Sequence, residues 1–406
     1  MSPSATETLI REAPTKYPII PLRQQKTDPI STEQPTTHLE IPESKEQNLE
    51  RHLPIPGPAL ERLQRAGIDL SNGYPDYPRK LTWLEDALEL EPKDREYVDP
   101  GSRADPDKKA LLGAAKEVRH LAKHIGTEIV GLQLKDLTPQ QKDELGLLIA
   151  ERSVVFFRDQ DLSPQQQQEL GKWYGDIDIS HVNPYVPGVP GAQVIWPDLM
   201  RTSKPADFRH PGGNSRWHTD EGHGKYPAGI THVHHDTVPD IGGDTLWASG
   251  YSAYEKLSPS FRKVIDGQYA VIKGSVQFLS KSNPTGGPVS IERTHPLVRV
   301  HPATGWKSLY VNRSWTSHIV GFDKAESDLI LGYLFDVYEK NPDIQVRFQW
   351  TPRTSALWDN RTTIHVVSWD YEGEEPRHGT RVISLAEKPY FDAKAPTRRE
   401  ALGLGE

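Results

Sequence analysis

Ser153-Val154-Val155-Phe156-Phe157 sets β-branched and aromatic side chains side by side, with polar Arg158-Asp159-Gln160 immediately after. The run is too short for a helix and rich in strand formers, so it reads as a strand buried on both faces. Upstream, Thr138-Pro139 opens a helix: Thr caps, Pro suits the first turn, and Leu145, Leu148 and Ile149 form its apolar stripe. Downstream, Ser163-Pro164 starts a second helix that ends near Gly175, and Ser258-Pro259 starts a third. A fourth, amphipathic helix runs from Glu326 to Tyr338. Between and after them lie short strand candidates: Gln193 to Trp196, Gly229 to His235, Leu309 to Val311, Ile344 to Trp350, Ser355 to Trp358 and Thr380 to Leu385. Many short strands with Gly/Pro turns and a few outer helices predict a mainly β, α+β fold of sandwich or barrel type.

The 406 residues suffice for one large domain or two ordinary ones. Residues 1–55 are rich in Pro, Thr, Ser, Glu and Gln without apolar periodicity, and are expected to form a disordered arm. Residues 56–110 read as an extension packing on the core, 111–395 as the main domain and 396–406 as a tail. With 48 basic and 56 acidic residues the net charge is −8, and the basic residues form no patch. Nucleic acid is therefore an unlooked-for partner. There is no cysteine, so thiolate metal sites are excluded and any metal must sit on His, Asp or Glu. No apolar run is long enough to span a membrane, and the N-terminal stretch carries Glu7, Glu12 and Glu33, unlike a signal or a mitochondrial presequence. The expectation is a cytoplasmic protein without membrane contact, with a homo-oligomer left open.

The stretch Arg216-Trp217-His218-Thr219-Asp220 carries the chemistry. In an extended chain, residues i and i+2 point to one side, so His218 and Asp220 can reach a common metal. His365, just after the apolar run Ser355 to Trp358, offers a third ligand. Two histidines and one carboxylate leave coordination positions open, as an iron(II) oxygenase requires. A His-x-Asp pair is weak by itself in a chain with 16 histidines. His232, His234 and His235 read as a strand lining or backing the pocket.

Context strengthens the pair. Val154-Val155-Phe156-Phe157-Arg158-Asp159-Gln160, Trp217-His218-Thr219-Asp220, Gly242-Gly243-Asp244-Thr245-Leu246-Trp247, Leu357-Trp358-Asp359-Asn360-Arg361 and Glu387-Lys388-Pro389-Tyr390 resemble, in order and spacing, the taurine dioxygenase family of iron(II)/2-oxoglutarate-dependent oxygenases. Trp247-Ala248-Ser249-Gly250-Tyr251 and Glu375-Pro376-Arg377-His378-Gly379-Thr380-Arg381 are most similar to the fungal sulfonate dioxygenases of that family. The resemblance covers about 280 residues and implies a double-stranded β-helix (jelly-roll) core. It also implies Fe(2+), the cosubstrate 2-oxoglutarate and O2, with a small anionic substrate. His218, Asp220 and His365 match the iron ligands. Arg377 matches the arginine that binds the distal carboxylate of 2-oxoglutarate, and Thr245 the hydroxyl that assists it. Arg381, Asn214 and Trp315 match substrate-side positions. The family's sulfonate-contacting histidine and tyrosine positions fall on Ser180 and Asn183, with His181 one residue away, and Glu221 to Tyr226 is unusually polar. The resemblance implies hydroxylation of the carbon beside a sulfonate, giving sulfite, an aldehyde, succinate and CO2. The alternatives are a non-sulfur acid or natural product as substrate, a zinc hydrolase on the same ligands, and a non-catalytic jelly roll.

Overall fold

The computed structural model describes residues 54–200, 217–371 and 373–405. All lie within the compact unit Leu53–Glu406. Five helices matter below: α1 Gly57–Arg65, α2 Pro139–Arg152, α3 Pro164–Tyr174, α4 Pro259–Ile265 and α5 Lys324–Glu339. The start of α2 is a reciprocal cap, in which Thr138 accepts from the Gln141 amide and the Gln141 side chain accepts from the Thr138 amide. Ser163 and Gln166 repeat the device at α3, and Ser258 accepts from the Phe261 amide at α4.

Eight strands build the site: β1 Val154–Phe157, β2 Val189–Ile195, β3 Ala228–Thr237, β4 Thr245–Ser249, β5 Gln345–Phe348, β6 Thr354–Asp359, β7 Thr363–Val367 and β8 His378–Leu385. The main sheet runs Glu117–His120, Thr127–Val130, β1, β6, β3, β8, β2, Tyr185–Val186. Its pairings are antiparallel apart from Thr127–Val130 against β1. A second sheet, β5–β4–β7, is antiparallel throughout. Between the two sheets Phe156 stacks on Phe348 at 3.8 Å, and Trp247 meets Phe156 and Trp358 edge to face at 5.2 and 5.7 Å. Val154, Val233, Val346 and Ala356 complete this inner layer. On the outside, α2 and α3 bury Leu145, Leu148, Ile149 and Leu170 against Val155, Phe157 and Leu357. Two facing sheets with helices outside agree with the sandwich or barrel read from the short strands and with the jelly roll that the resemblance implies.

Some boundaries differ from the expected ones. The Leu309 to Val311 candidate pairs only over Lys307–Leu309; Tyr310 and Val311 are buried but continue without ladder bonds. A long hairpin, Tyr269–Phe278 with Val289–Pro296, went unforeseen because its outward residues are polar and its pairing is bulged. Helix α1 was also unforeseen, having only Ala59 and Leu63 as buried apolar residues. Its third buried residue is Arg62, whose guanidinium donates to Leu162 O at 2.6 Å, Thr380 Oγ1 at 2.9 Å, Asp236 Oδ2 at 3.2 Å and Gln167 Oε1 at 3.2 Å.

Candidate metal and anion site

His218 and His365 exchange both backbone hydrogen bonds, N to O at 3.0 and 2.9 Å, although they stand 147 residues apart (365 − 218). The exchange sets their rings 4.2 Å apart, centroid to centroid. Asp220, two residues along the extended chain, turns to the same side. Its Oδ1 lies 3.9 Å from His218 Nε2 and 4.0 Å from His365 Nε2. One donor atom from each of the three falls within 4.8 Å of the others. Ligand bonds of about 2.0–2.2 Å let a single ion reach all three after a small closing of the side chains. Two imidazoles and a carboxylate on one side of an ion suit iron(II), so the donor set fits that metal.

Electrostatics keep Asp220 and His365 in forms that can bind a cation. Burial alone would raise the Asp220 pKa, but Arg381, His365 and His218 overcome it and hold the carboxyl below its usual range. Burial, helped by the charge of His218, pushes His365 down to about 3, so its imidazole is neutral at physiological pH.

Arg381 stands on β8, and Arg377 immediately precedes its first residue, His378. Arg377 is 4 % exposed, and among the described residues no carboxylate lies within ion-pair distance. Its Nη2 meets His235 Nε2 at 3.2 Å, and its Nε has no hydrogen-bond partner. His235 Nδ1 faces the His378 carbonyl at 3.2 Å, which puts the ring hydrogen on Nδ1 and leaves Nε2 as acceptor. Burial, then the charge of Arg377, presses the His235 pKa well down, so the pair carries one positive charge. Thr245 Oγ1, at the start of β4, accepts from Trp350 Nε1 at 3.0 Å, which leaves its own hydrogen to give away. Burial lowers the Arg377 pKa against Tyr371 and the more distant Asp244, and a buried guanidinium with no carboxylate at ion-pair distance among the described residues is a place for an anion.

Arg381 follows four residues on. Its Nη1 donates to Asp220 Oδ1 at 2.8 Å, and its Nε and Nη2 both donate to Gln193 Oε1, at 3.1 and 2.7 Å. Asn183 Nδ2 joins the same oxygen at 3.2 Å, and Gln193 Nε2 donates to Asp178 Oδ2 at 3.1 Å. Burial, with Glu221 and Asp220 nearby, pushes the Asp178 carboxyl up to about 8. Between the arginines sits Gly379, pressed so close to β3 that a methyl group there would overlap the His234 carbonyl and the His235 ring.

Of the remaining expected substrate-side residues, Trp315 stands edge-on to His218 with centroids 6.4 Å apart. His181 is half-buried on the loop before Tyr185, where burial lowers its pKa against the opposing charge of Glu221. Asn214 lies outside the described residues. The histidine cluster divides by strand alternation. His235 faces Arg377, while His232 and His234 turn to the opposite face and share Ser355 Oγ, each at 3.0 Å. Thr231, Asn360 and Gln193 were missed. Each touches Asp220 or Arg381 across more than a hundred residues or from another strand, and no local spacing announces such contacts.

Comparison with known proteins gives the family. Residues 117–383 match the model of the family described as "Taurine catabolism dioxygenase TauD, TfdA family". A Schizosaccharomyces pombe relative, named provisionally as an alpha-ketoglutarate-dependent sulfonate dioxygenase, is 37% identical over 338 residues, covering 82% of this chain and 83% of its own. An alpha-ketoglutarate-dependent sulfonate dioxygenase of Saccharomyces cerevisiae is 34% identical over 79% of this chain and 80% of its own. The crystal structure of a taurine dioxygenase from Burkholderia xenovorans superposes with a TM-score of 0.58 at 31% identity, covering 68% of this chain and 91% of that one.

Proposed function

Because the chain belongs to the TauD, TfdA family and is a 2-oxoglutarate-dependent dioxygenase, we propose that it oxidises an organosulfonate at the carbon bearing sulfur. The products are sulfite and an aldehyde, alongside succinate and CO2. The observation that carries this reading is the convergence of a two-histidine, one-carboxylate cluster with a buried arginine that has no carboxylate partner among the described residues.

In this reading His218, Asp220 and His365 hold iron(II). When bound, the iron with 2-oxoglutarate and O2 supplies the oxidising power. Arg377 takes the distal carboxylate of 2-oxoglutarate through its guanidinium, whose Nε–H has no partner, and the Thr245 hydroxyl donates to the same group. The neutral His235 ring fixes the guanidinium plane from behind without contributing charge. Arg381, turned by Gln193, faces the small anionic substrate from beside Asp220, and Trp315 gives the pocket an aromatic wall. His181 and Asn214 stand as further substrate contacts. The sulfonate assignment is supported by the names of the yeast relatives. No helix among the described residues is long and apolar enough to cross a membrane.

The test is anaerobic reconstitution with iron(II) and 2-oxoglutarate, followed by O2 and a panel of sulfonates, sulfate esters and carboxylic acids, scored by succinate and sulfite. Sulfite released in step with succinate is expected from a sulfonate; succinate without sulfite across the sulfonates would redirect the substrate to another acid. Asp220→Ala should abolish iron-dependent succinate formation, and retention of most of it would overturn the ligand assignment.

A further inference from the structure

Asp220 is gripped from behind by two side chains that never reach the ion position. Asn360, on the turn between β6 and β7, accepts at Oδ1 from the Asp220 backbone N–H at 3.0 Å and from Trp358 Nε1 at 3.3 Å. Its Nδ2 donates to the Gly229 carbonyl at 3.0 Å and to Thr231 Oγ1 at 2.9 Å. Two donors meet the oxygen and two acceptors meet the nitrogen. A flipped amide would set its N–H groups against two other N–H groups, so the orientation is fixed.

That orientation decides where the Thr231 hydrogen goes. Having accepted from Asn360, the Thr231 hydroxyl turns its single hydrogen to Asp220 Oδ2, 2.8 Å away. Thr231 and Asn360 are 0 % and 1 % exposed, so bulk water does not compete for these groups. The other oxygen, Oδ1, is the one that faces both histidines and also receives Arg381 Nη1. A carboxylate oxygen has two lone pairs, one for Arg381 and one for an ion.

We propose that Asn360 and Thr231 are positioning residues that make Asp220 a one-oxygen metal ligand. The Thr231 O–H holds Oδ2 to its own side, leaving Oδ1 as the oxygen nearest both histidines, and Asn360 fixes the peptide and the hydroxyl that aim the carboxylate. A carboxylate gripping through both oxygens would take a coordination position that the cosubstrate and O2 require. The inference rests on the metal-site reading above and adds the mode of ligation to it.

The experiment uses Mn(II) as probe, titrated into the metal-free full-length chain and followed by the EPR signal of free Mn(II). Water-proton relaxation of the bound ion reads how many of its positions stay open to water. Thr231→Val keeps the shape and loses the hydroxyl, and should weaken Mn(II) binding about 10–100-fold, with fewer waters on the ion as Asp220 swings to both oxygens. Thr231→Ser keeps the donor and should bind within about threefold of the wild type, the small residue reflecting its lost methyl. Asn360→Asp, almost isosteric, draws the Thr231 hydrogen away from Asp220 and should reproduce the valine result, which keeps the test decisive if Thr231→Val does not fold. Wild-type affinity and hydration in Thr231→Val or Asn360→Asp would overturn the positioning role, as would a serine variant as weak as the valine one. A wild-type chain that binds no Mn(II) would instead sink the metal-site reading itself.

Discussion

Arg377 is a cation taken out of water with a neutral imidazole as its neighbour, an arrangement a stability-driven sequence would avoid. Its sense lies in the ligand it awaits. Arg377→Ala should leave the fold intact, since no buried carboxylate among the described residues loses its partner, and should weaken 2-oxoglutarate use by roughly 2–3 kcal/mol, the loss of a charged hydrogen-bonding partner. The check is the 2-oxoglutarate concentration needed for half-maximal succinate formation; an unchanged requirement refutes the anchor. At this scale the sequence was informative where chemistry is local. The i, i+2 pair His218 and Asp220, and the four-residue step from Arg377 to Arg381, follow from strand geometry once the strand is known. Asn360 and Thr231 were invisible because their partners are fixed by the sheet, 140 and 11 residues away from Asp220 in the chain.

Among the elements, helix starts were the most legible, because a Ser/Thr-Pro cap with Gln at the third position contains its own partners. Helix α1 has no such signature, and its main attachment is polar. Arg62 enters the layer behind β3 and β8, where Asp236 also lies 3.6 Å from His234 Nε2 and 3.3 Å from His378 Nδ1. Tyr74 OH closes the group on His378 Nε2 at 2.8 Å. Residues before Leu111 thus satisfy the back of the strand that presents Arg377 and Arg381 at the front. Arg62→Met should destabilise the full chain by about 3–5 kcal/mol, because Asp236 is left buried without its cation. Urea unfolding measures it, and a loss below about 1 kcal/mol, the range of an exposed pair, would show that the ion pair contributes little.

For the whole molecule, the buried histidines set a pH limit. Burial, the leading cause in each, lowers His232 and His235 far below their usual value and His234 and His295 to about 4. The unfolded chain titrates these rings near 6.5, so between that pH and about 4 the unfolded state binds more protons than the folded one. Stability is therefore full above pH 6.5 and falls as the pH is lowered through that window. Each such ring contributes on the order of 1–2 kcal/mol of loss by pH 5. Melting of the metal-free protein from pH 7.5 to 5 should show a progressive decline, and a flat profile would contradict the burial of these rings. The order of residues placed His232, His234 and His235 on a strand at the pocket, but nothing in it marked His295, whose preceding neighbours in the chain are polar or charged.

The close seat of Gly379 has a meaning for how such a protein can diversify. A side chain there would lever β8 away from β3 and carry both arginines with it, so the two guanidiniums move together or not at all. Variation is thereby channelled to the segments around Gln193 and Arg381, where Asp178, His181, Asn183 and Glu221 gather without sharing a strand with Arg381. A lineage can exchange one acid for another there while its cosubstrate chemistry stays fixed by a residue that has no side chain.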